Sequence, residues 1–373
     1  MVTEEVLLMN RYDVVVVGSG PAGLAGAVEA AGRGCRVLLV DMNLSPGGQL
    51  IKQIHKFFGS SRHRAGTRGI DISKALYREA LDAGVTVWFD AAVYGIFPGP
   101  VLEMARGMLQ DRKARKEVVA AGKVILATGA SENSVSFPGW CLPGVMGAGA
   151  AQTMINVERV LPGQRVLMIG SGNVGLIVTY QLLQAGARVE AIVEIMPRVG
   201  GYGVHAAKVR RAGVPILTSM KVERALGETQ VEGALLFPVD GKGTPVHLEV
   251  DTICVAAGLR PYTRLASLAG CRLYHSHPLG GWMPLHDEDM ETTVRGIYAA
   301  GDLAGVEEAS TALEEGRLAG LAAAESVLGG FDASGEKRQI QESLSLLRMG
   351  PFGKARADAK DLVVKAGEAA CLV

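Results

Sequence analysis

The chain has 373 residues, its 38 Lys+Arg are balanced by 38 Asp+Glu, and 48% of it is hydrophobic. That length holds two or three domains with a sizeable core, and zero net charge argues against a nucleic-acid binder, which carries an excess of basic charge. No uninterrupted apolar run reaches membrane-spanning length, so no membrane insertion is expected.

The N-terminal MVTEEVLLMNR carries acids where a secretory signal carries bases, which points to a cytoplasmic protein. Tyr12 to Val17, YDVVVV, reads as a buried strand because it is β-branched and unbroken. GSGPAG (Gly18 to Gly23) follows, then an Ala-rich helix to about Gly32 and a second strand, CRVLLV, ending at Asp41. G-x-G-x-x-G alone is weak. Between a strand and a helix, with an acid 23 residues after the first glycine, it is the dinucleotide fingerprint. Gly18 makes the tight turn, Gly20 admits a pyrophosphate and Gly23 lets helix and strand pack closely. The helix start, with Pro21 and Ala22, offers unpaired N–H groups to the phosphates, and Asp41 is placed to accept from ribose hydroxyls.

About 150 residues later the unit recurs as RVLMIGSGNVGLIVTYQLLQAGARVEAIVE, Arg165 to Glu194. Gly170, Gly172, Asn173, Val174 and Gly175 take the loop positions and Glu194 the terminal acid. Two complete units mean two dinucleotide sites. Each is followed by short alternating segments that read as an antiparallel meander returning to a parallel strand. These are VTVWFDAAVYGIF (which includes Val93), VLEMARGMLQ and EVVAAGKVILATGA, then VPILTSM, ALLFPVD and VHLEVDTICVAAGLRP. The returning strands end in ATG (Ala127 to Gly129) and AAG (Ala256 to Gly258). A last strand, IYAAGD from Tyr298, leads into a Gly/Ala-rich helix, and two short amphipathic helices are expected after Gly330.

Five cysteines, Cys35, Cys141, Cys254, Cys271 and Cys371, stand far apart with no C-x-x-C and no metal-ligand spacing. Each is expected to be a small buried residue of a reducing compartment, and no metal site is expected.

Two fingerprints followed by ATG, AAGLRP and AAGD resemble the two-dinucleotide-binding-domain flavoproteins, the group of thioredoxin reductase and the pyridine nucleotide-disulfide oxidoreductases. The resemblance implies an α/β fold of two Rossmann-like dinucleotide-binding domains. Each has a parallel sheet and a small antiparallel meander, with the NAD domain inserted in the FAD domain. The expected boundaries are 1–155 and 275–332 for FAD, 156–274 for NAD(P), and 333–373 for a helical tail. It implies FAD on Gly18, Gly20 and Gly23, with Asp41 on its ribose. Gly48 and Gln49 of PGGQL would lie along the flavin, Thr128 and Gly129 would close over the FAD, Asp302 would bind the ribityl chain, and Val93 and Gly301 would join the FAD-binding set. NAD(H) would take the second loop and Gly258. FPGWCLPGVMGAGAAQ, LGGWMPLHDEDMETTVRGIYAAGDLAG and EEGRLAGLAAA are similar to the FAD subunits of dye-linked amine, proline and opine dehydrogenases, of hydrogen cyanide synthase and of heteromeric sarcosine oxidase.

GGQLIKQIHKFFG contains no cysteine and the segment before GSGNVG has only Cys141, so no intramolecular redox disulfide is expected there. Direct flavin chemistry remains: a FAD-dependent NAD(P)H oxidoreductase exchanging electrons with a partner subunit, iron–sulfur or otherwise, in an oligomer or hetero-complex. The alternatives are the FAD subunit of an amine, imino-acid or opine dehydrogenase or oxidase, and a non-catalytic flavin-binding sensor or assembly protein. Glu194 favours NADH, since a carboxylate repels a 2′-phosphate. The acid-free stretch KQIHKFFGSSRHRAGTR (Lys52 to Arg68) is either a partner-steering patch or a solvated loop. Its Lys52, His55 and Lys56 are the candidates for groups near the flavin. The tail, with Leu346, Leu347, Leu362 and Val363, packs on its own domain or docks on a partner.

Overall fold

The computed structural model describes residues 10–57, 60–349 and 353–371, and the acidic N-terminal stretch, two residues of the basic stretch and part of LRMGPF lie outside them. The chain divides into two compact units, residues 132–259 forming one and the segments on either side of it the other.

In the first unit β1 (Arg11–Val17) leads through the fingerprint loop into α1 (Pro21–Gly32) and then β2 (Val37–Val40), paired in parallel from Val14↔Val37 to Val17↔Val40. Val14, Val15 and Val16 are buried together, which is why the strand reads as a continuous apolar run rather than an alternating one. After α2 (Gly69–Asp82), β3 (Thr86–Trp88) extends the parallel sheet. The segment VTVWFDAAVYGIF then breaks at Asp90, whose φ of 50° ends β3 and starts β4 (Ala91–Phe97). Buried Asp90 accepts from the N–H groups of Leu109 and Gln110, which fixes the bend. β4, β5 (Val101–Arg106) and β6 (Arg115–Leu126) form the antiparallel meander. β6 is long enough to serve twice: Arg115 to Ala120 pair with β5, and Ala120 to Leu126 run parallel to β1.

The second unit opens with β7 (Val145–Gly147) and α3 (Ala148–Thr153). β8 (Arg165–Ile169), α4 (Asn173–Gln184), β9 (Arg188–Glu194), α5 (Gly203–Arg211) and β10 (Ile216–Thr218) follow. Next comes the meander β11 (Met220–Leu226), β12 (Gly233–Pro238) and β13 (Val246–Leu248), and last β14 (Thr252–Val255). The parallel sheet has the order β10-β9-β8-β14-β7. Its alternation decides the layers: Val166 and Met168 pack with the helices, while Leu167 packs against the meander residues Leu236 and Val231. The unit starts at 132 and ends at 259, where the motifs suggested 156 and 274; β7 pairs with β14 and so draws the residues around 145 into this sheet.

The chain returns to the first unit through α6 (Arg264–Leu268), the hairpin β15 (Leu273–Ser276)–β16 (Gly281–Pro284) and β17 (Ile297–Ala299), which lies parallel to β6. α7 (Ala309–Leu328) then crosses α1 almost backbone to backbone. A Cβ on Gly316 would meet the carbonyl of Ala22, and one on Gly320 that of Gly26. The tail forms α8 (Ser334–Leu347) and α9 (Lys354–Cys371). The expected two helices are present but are 14 and 18 residues long, not short. Ile340, Leu344, Ala359 and Val363 are buried, whereas Leu346 and Leu362 are exposed.

Cys35, Cys254 and Cys271 are buried as expected; Cys141 is not. It lies in the turn of FPGWCLPG, where flanking Pro and Gly keep the chain at the surface. No helix among the described residues is long and apolar enough to cross a membrane.

Candidate functional site

Both fingerprint loops have the same construction. Gly18 (φ 105°) and Gly170 (φ 96°) make the turn. A Cβ on either would enter a carbonyl, that of Ala127 or of Ala256, and a Cβ on Gly23 or Gly175 would enter the carbonyl of Gly18 or Gly170. Gly20 and Gly172 instead face open space, with nothing within 4 Å of an added Cβ. Each is the N-cap of its helix, α1 or α4, and neither helix has a side-chain cap or an acid in its first turn. The first N–H groups thus lack a side-chain acceptor and point, with the positive end of the helix dipole, to the space before the glycine. Pro21 and Ala22 open α1, and Asn173 and the exposed Val174 open α4. An anionic pyrophosphate fits this chemistry at both loops.

The strand-end acids are wired to the loops. Asp41 accepts through Oδ2 from the N–H and hydroxyl of Ser19, both at 2.6 Å, and through Oδ1 from the N–H and side-chain amide of Asn43 at 2.8 Å. Glu194 accepts through Oε2 from the N–H (2.9 Å) and hydroxyl (2.6 Å) of Ser171, and through Oε1 from the N–H of Met196 (2.9 Å). A carboxylate offers about four acceptor positions. Asp41 uses all of them on its own chain, whereas Glu194 keeps one.

A double-glycine strap crosses each loop. Gly47 donates to the carbonyl of Ser19 at 2.8 Å, and Gly201 to that of Ser171 at 2.9 Å. A Cβ on Gly48 would stand 3.0 Å from Cα of Gly20. Gln49, the next residue, is exposed. The resemblance singled out Gly48 and Gln49 of PGGQL beside the flavin rather than as a strap, and it passed over VGGYG, which repeats the double glycine.

Around the first loop, Val93 lies on β4. Thr128 donates through its hydroxyl to the carbonyl of Tyr262 at 2.9 Å, and Gly129 (φ 71°) faces open space. Gly301 (φ 69°) begins the turn that carries Asp302. Burial, with Glu315, Glu308 and Glu307 nearby, pushes the Asp302 carboxyl up to about 7. In the second unit Gly258 (φ 92°) is held by its carbonyl, which accepts from the N–H of Asn133 at 2.9 Å.

The basic stretch is less free than its composition suggests. Lys52 closes a 3-10 turn, Gly48–Lys52; His55 stacks on Phe57; Lys56 is exposed, and its backbone pairs with that of Arg68 in a single antiparallel β-bridge. Arg62 pairs with Glu314, Arg64 with Glu79 and Arg68 with Asp71. His63, passed over in the sequence, is buried between the Ser60 hydroxyl on Nδ1 and Glu314 on Nε2, each at 2.9 Å. Arg62, Arg64 and Arg68 are therefore partly neutralised, and the field of the patch falls accordingly. Buried Glu307, Glu314 and Glu315, with Arg348 and Lys360 of the tail, were also missed. The available signal was a pair of acids inside an Ala/Gly-rich helix, since buried charges require partners.

The folds and loops define a protein with two dinucleotide cradles on separate Rossmann-like units. The family model of the pyridine nucleotide-disulphide oxidoreductases matches residues 12–316, and the chain belongs to that family of flavin-dependent oxidoreductases, whose cofactors are FAD and NAD(P)H. It is 32% identical over 340 residues to an opine oxidase subunit of Agrobacterium tumefaciens, an alignment spanning 85% of this chain and 66% of that one. It is 28% identical over 331 residues to the hydrogen cyanide synthase subunit HcnB of Pseudomonas aeruginosa (82% and 69%). The chain thus spans just under two thirds of the opine oxidase polypeptide that it matches. In fold it resembles T. acidophilum thioredoxin reductase, with a TM-score of 0.70 at 22% identity, covering 86% of this chain and all of that one. It is also similar to L-proline dehydrogenase from P. horikoshii, with a TM-score of 0.69 at 22% identity (90% and 59%).

Proposed function

We propose that the chain is a FAD-bearing electron-transfer subunit that takes FAD in its first unit and NADH in its second, and exchanges electrons with a partner redox protein without a dithiol relay. The observation that carries this is the duplicated cradle, an uncapped helix start behind an open glycine with a strand-end acid tied to the loop. When bound, FAD and NADH supply the hydride and electron chemistry. The residues of the chain hold and orient them.

In this reading Gly18, Gly20, Pro21, Ala22 and Gly23 seat the FAD pyrophosphate. Gly48, Gln49, Val93, Thr128 and Gly129 line the flavin, and Gly301 with Asp302 takes the ribityl hydroxyls. Asp41 acts mainly by fixing Ser19, its acceptor positions being filled. Gly170, Gly172, Asn173, Val174, Gly175 and Gly258 form the NADH cradle. Two features favour NADH over NADPH: the position that Glu194 leaves for a 2′-hydroxyl, and exposed apolar Ile195 and Met196 where a 2′-phosphate needs cations. Lys52, His55 and Lys56 stay candidates for flavin-side groups. Free Cys35, Cys141, Cys254 and Cys271 favour a cytoplasmic setting.

A second reading is favoured by the relatives named as oxidase and synthase subunits. In it the same scaffold serves a complex that oxidises an opine, an amine or an imino acid, and its partner is an iron–sulfur or other electron-transfer protein. Anaerobic rapid mixing separates the two. Bleaching of the flavin band by NADH supports the first reading; bleaching only by an opine, sarcosine or proline, in the presence of the co-purifying partner, supports the second.

A further inference from the structure

We propose that the C-terminal helix pair is a positioning element of the flavin site, with Arg348 and Lys360 fixing the turn that presents Asp302. The proposal rests on the reading of the first unit as the FAD cradle.

Glu315, on α7, divides its carboxylate between two tasks. Oε2 accepts from the N–H of Gly301 at 3.0 Å, and Oε1 accepts from Arg348 at 2.7 Å and Lys360 at 2.6 Å. Arg348 also grips Glu307, with Nε on both carboxylate oxygens (3.0 and 3.2 Å) and Nη2 on Oε2 at 2.7 Å. The N–H of Glu307 in turn points to Oδ1 of Asp302 at 3.4 Å. The turn from 301 to 307 is therefore held at both ends by one guanidinium, which comes from beyond the last residue of α8. Lys360 backs the same oxygen from α9.

These groups are buried: the side chains of Glu315 and Lys360 are 2% and 4% exposed. An ion pair at that depth contributes little net stability, because desolvation offsets the attraction, but removing one partner strands the other. Its benefit lies in a fixed arrangement. Asp302, Glu307, Glu308 and Glu315 crowd one turn; of the tail cations, Arg348 and Lys360 are set against Glu307 and Glu315, and Arg356 lies 3.9 Å from the more exposed Glu308. The neighbouring His286 adds no charge, since burial pushes it down to about 3. Without Arg348 and Lys360 the acids repel, the Gly301 N–H loses the fixed position of its acceptor on Glu315, and the Asp302 carboxyl ionises at higher pH.

The test uses the full chain with Arg348→Ala, Arg348→Lys and Lys360→Met, and Val363→Ala as a control that loosens α9 without touching a charge. FAD affinity is read by fluorescence titration, flavin environment by visible circular dichroism, and the pH midpoint of FAD affinity from titrations between about pH 5 and 9, which bracket the Asp302 value. Expected are an affinity loss of about tenfold or more and an upward-shifted midpoint in Arg348→Ala, a smaller loss in Lys360→Met, and partial recovery in Arg348→Lys. Val363→Ala lowers the melting temperature and leaves the midpoint in place. Should Arg348→Ala fail to fold, Arg348→Lys and Lys360→Met carry the same comparison. FAD affinity, dichroism and midpoint unchanged in these variants, or a midpoint that moves equally in Val363→Ala, overturn the positioning role alone. Wild-type protein that takes up no FAD overturns the flavin reading and this proposal with it.

Discussion

Glu194 and Ser171 are joined through a single carboxylate oxygen, which accepts from the serine N–H at 2.9 Å and from its hydroxyl at 2.6 Å. The other oxygen holds Met196 and has room for one more donor. Glu194→Ala removes both the lock on the loop and the group that repels a 2′-phosphate. NADH affinity is expected to fall about tenfold, roughly one charge-assisted hydrogen bond, while NADPH affinity holds or rises. Equilibrium titration with both nucleotides checks this; an unchanged NADH/NADPH ratio would refute the assignment.

Gly20 and Gly23 predict opposite phenotypes from the same substitution. A Cβ on Gly20 meets no protein atom, so Gly20→Ala is expected to fold with a melting temperature near wild type and to lose most of its FAD. A Cβ on Gly23 runs into the carbonyl of Gly18, so Gly23→Ala is expected to cost about 1–3 kcal/mol of stability. Thermal melts beside flavin content separate the two.

Asp302 sets a pH dependence. Its folded value, up to about 7, lies above the ordinary aspartate value of 3.8, so the folded state retains a proton that the unfolded chain has lost. Asp302 therefore contributes a loss of stability in flavin-free protein as pH rises from about 4 to about 7, on the order of 4 kcal/mol, beside a smaller loss from Asp287, pushed up to about 6, and against a gain from His286, which burial pushes down to about 3. Asp302→Asn is expected to remove that contribution, so that wild type and variant differ in slope between about pH 4 and 7. Ribityl hydroxyls donate to the ionised form, so FAD binding is expected to tighten as pH rises through about 7. Denaturant midpoints at about pH 5 and 8, wild type against variant, decide it.

Cysteine reactivity follows exposure. Burial pushes the Cys254 thiol up to about 12 and that of Cys35 up to about 11, and raises that of Cys271 as well, while Cys141 lies at the surface. Of these four, native protein is expected to alkylate at Cys141 alone, by peptide mass mapping. Cys141→Ser is expected to leave flavin reduction intact; loss of reduction would restore a thiol-based mechanism.

The two β-turn-α units were legible in the sequence because buried parallel strands and glycine turns leave a dense local pattern, and β1, α1, β8 and α4 fall where YDVVVV and its repeat placed them. The strand β11 was overlooked: MKVERAL carries three charges, as a strand with an exposed edge and face does, and so lacks an apolar signature. The break at Asp90 was hidden as well, since it depends on donors from Leu109 and Gln110, well downstream. Long-range pairing also explains the missed charges. Lys360 and Glu315 stand 45 residues apart, His63 and Glu314 251 apart, and nothing local tells a buried ion pair from two solvated side chains.

The crossing of α1 and α7 has a consequence for biosynthesis. Gly26 in the first helix and Gly316 and Gly320 in the second must meet before either can shield its backbone, so the first Rossmann layer stays incomplete until residue 320 and those just after it have emerged from the ribosome. Residues 132–259 are contiguous and meet no such delay. The interrupting unit is therefore expected to mature first during translation, reversing the usual N-terminal-first order.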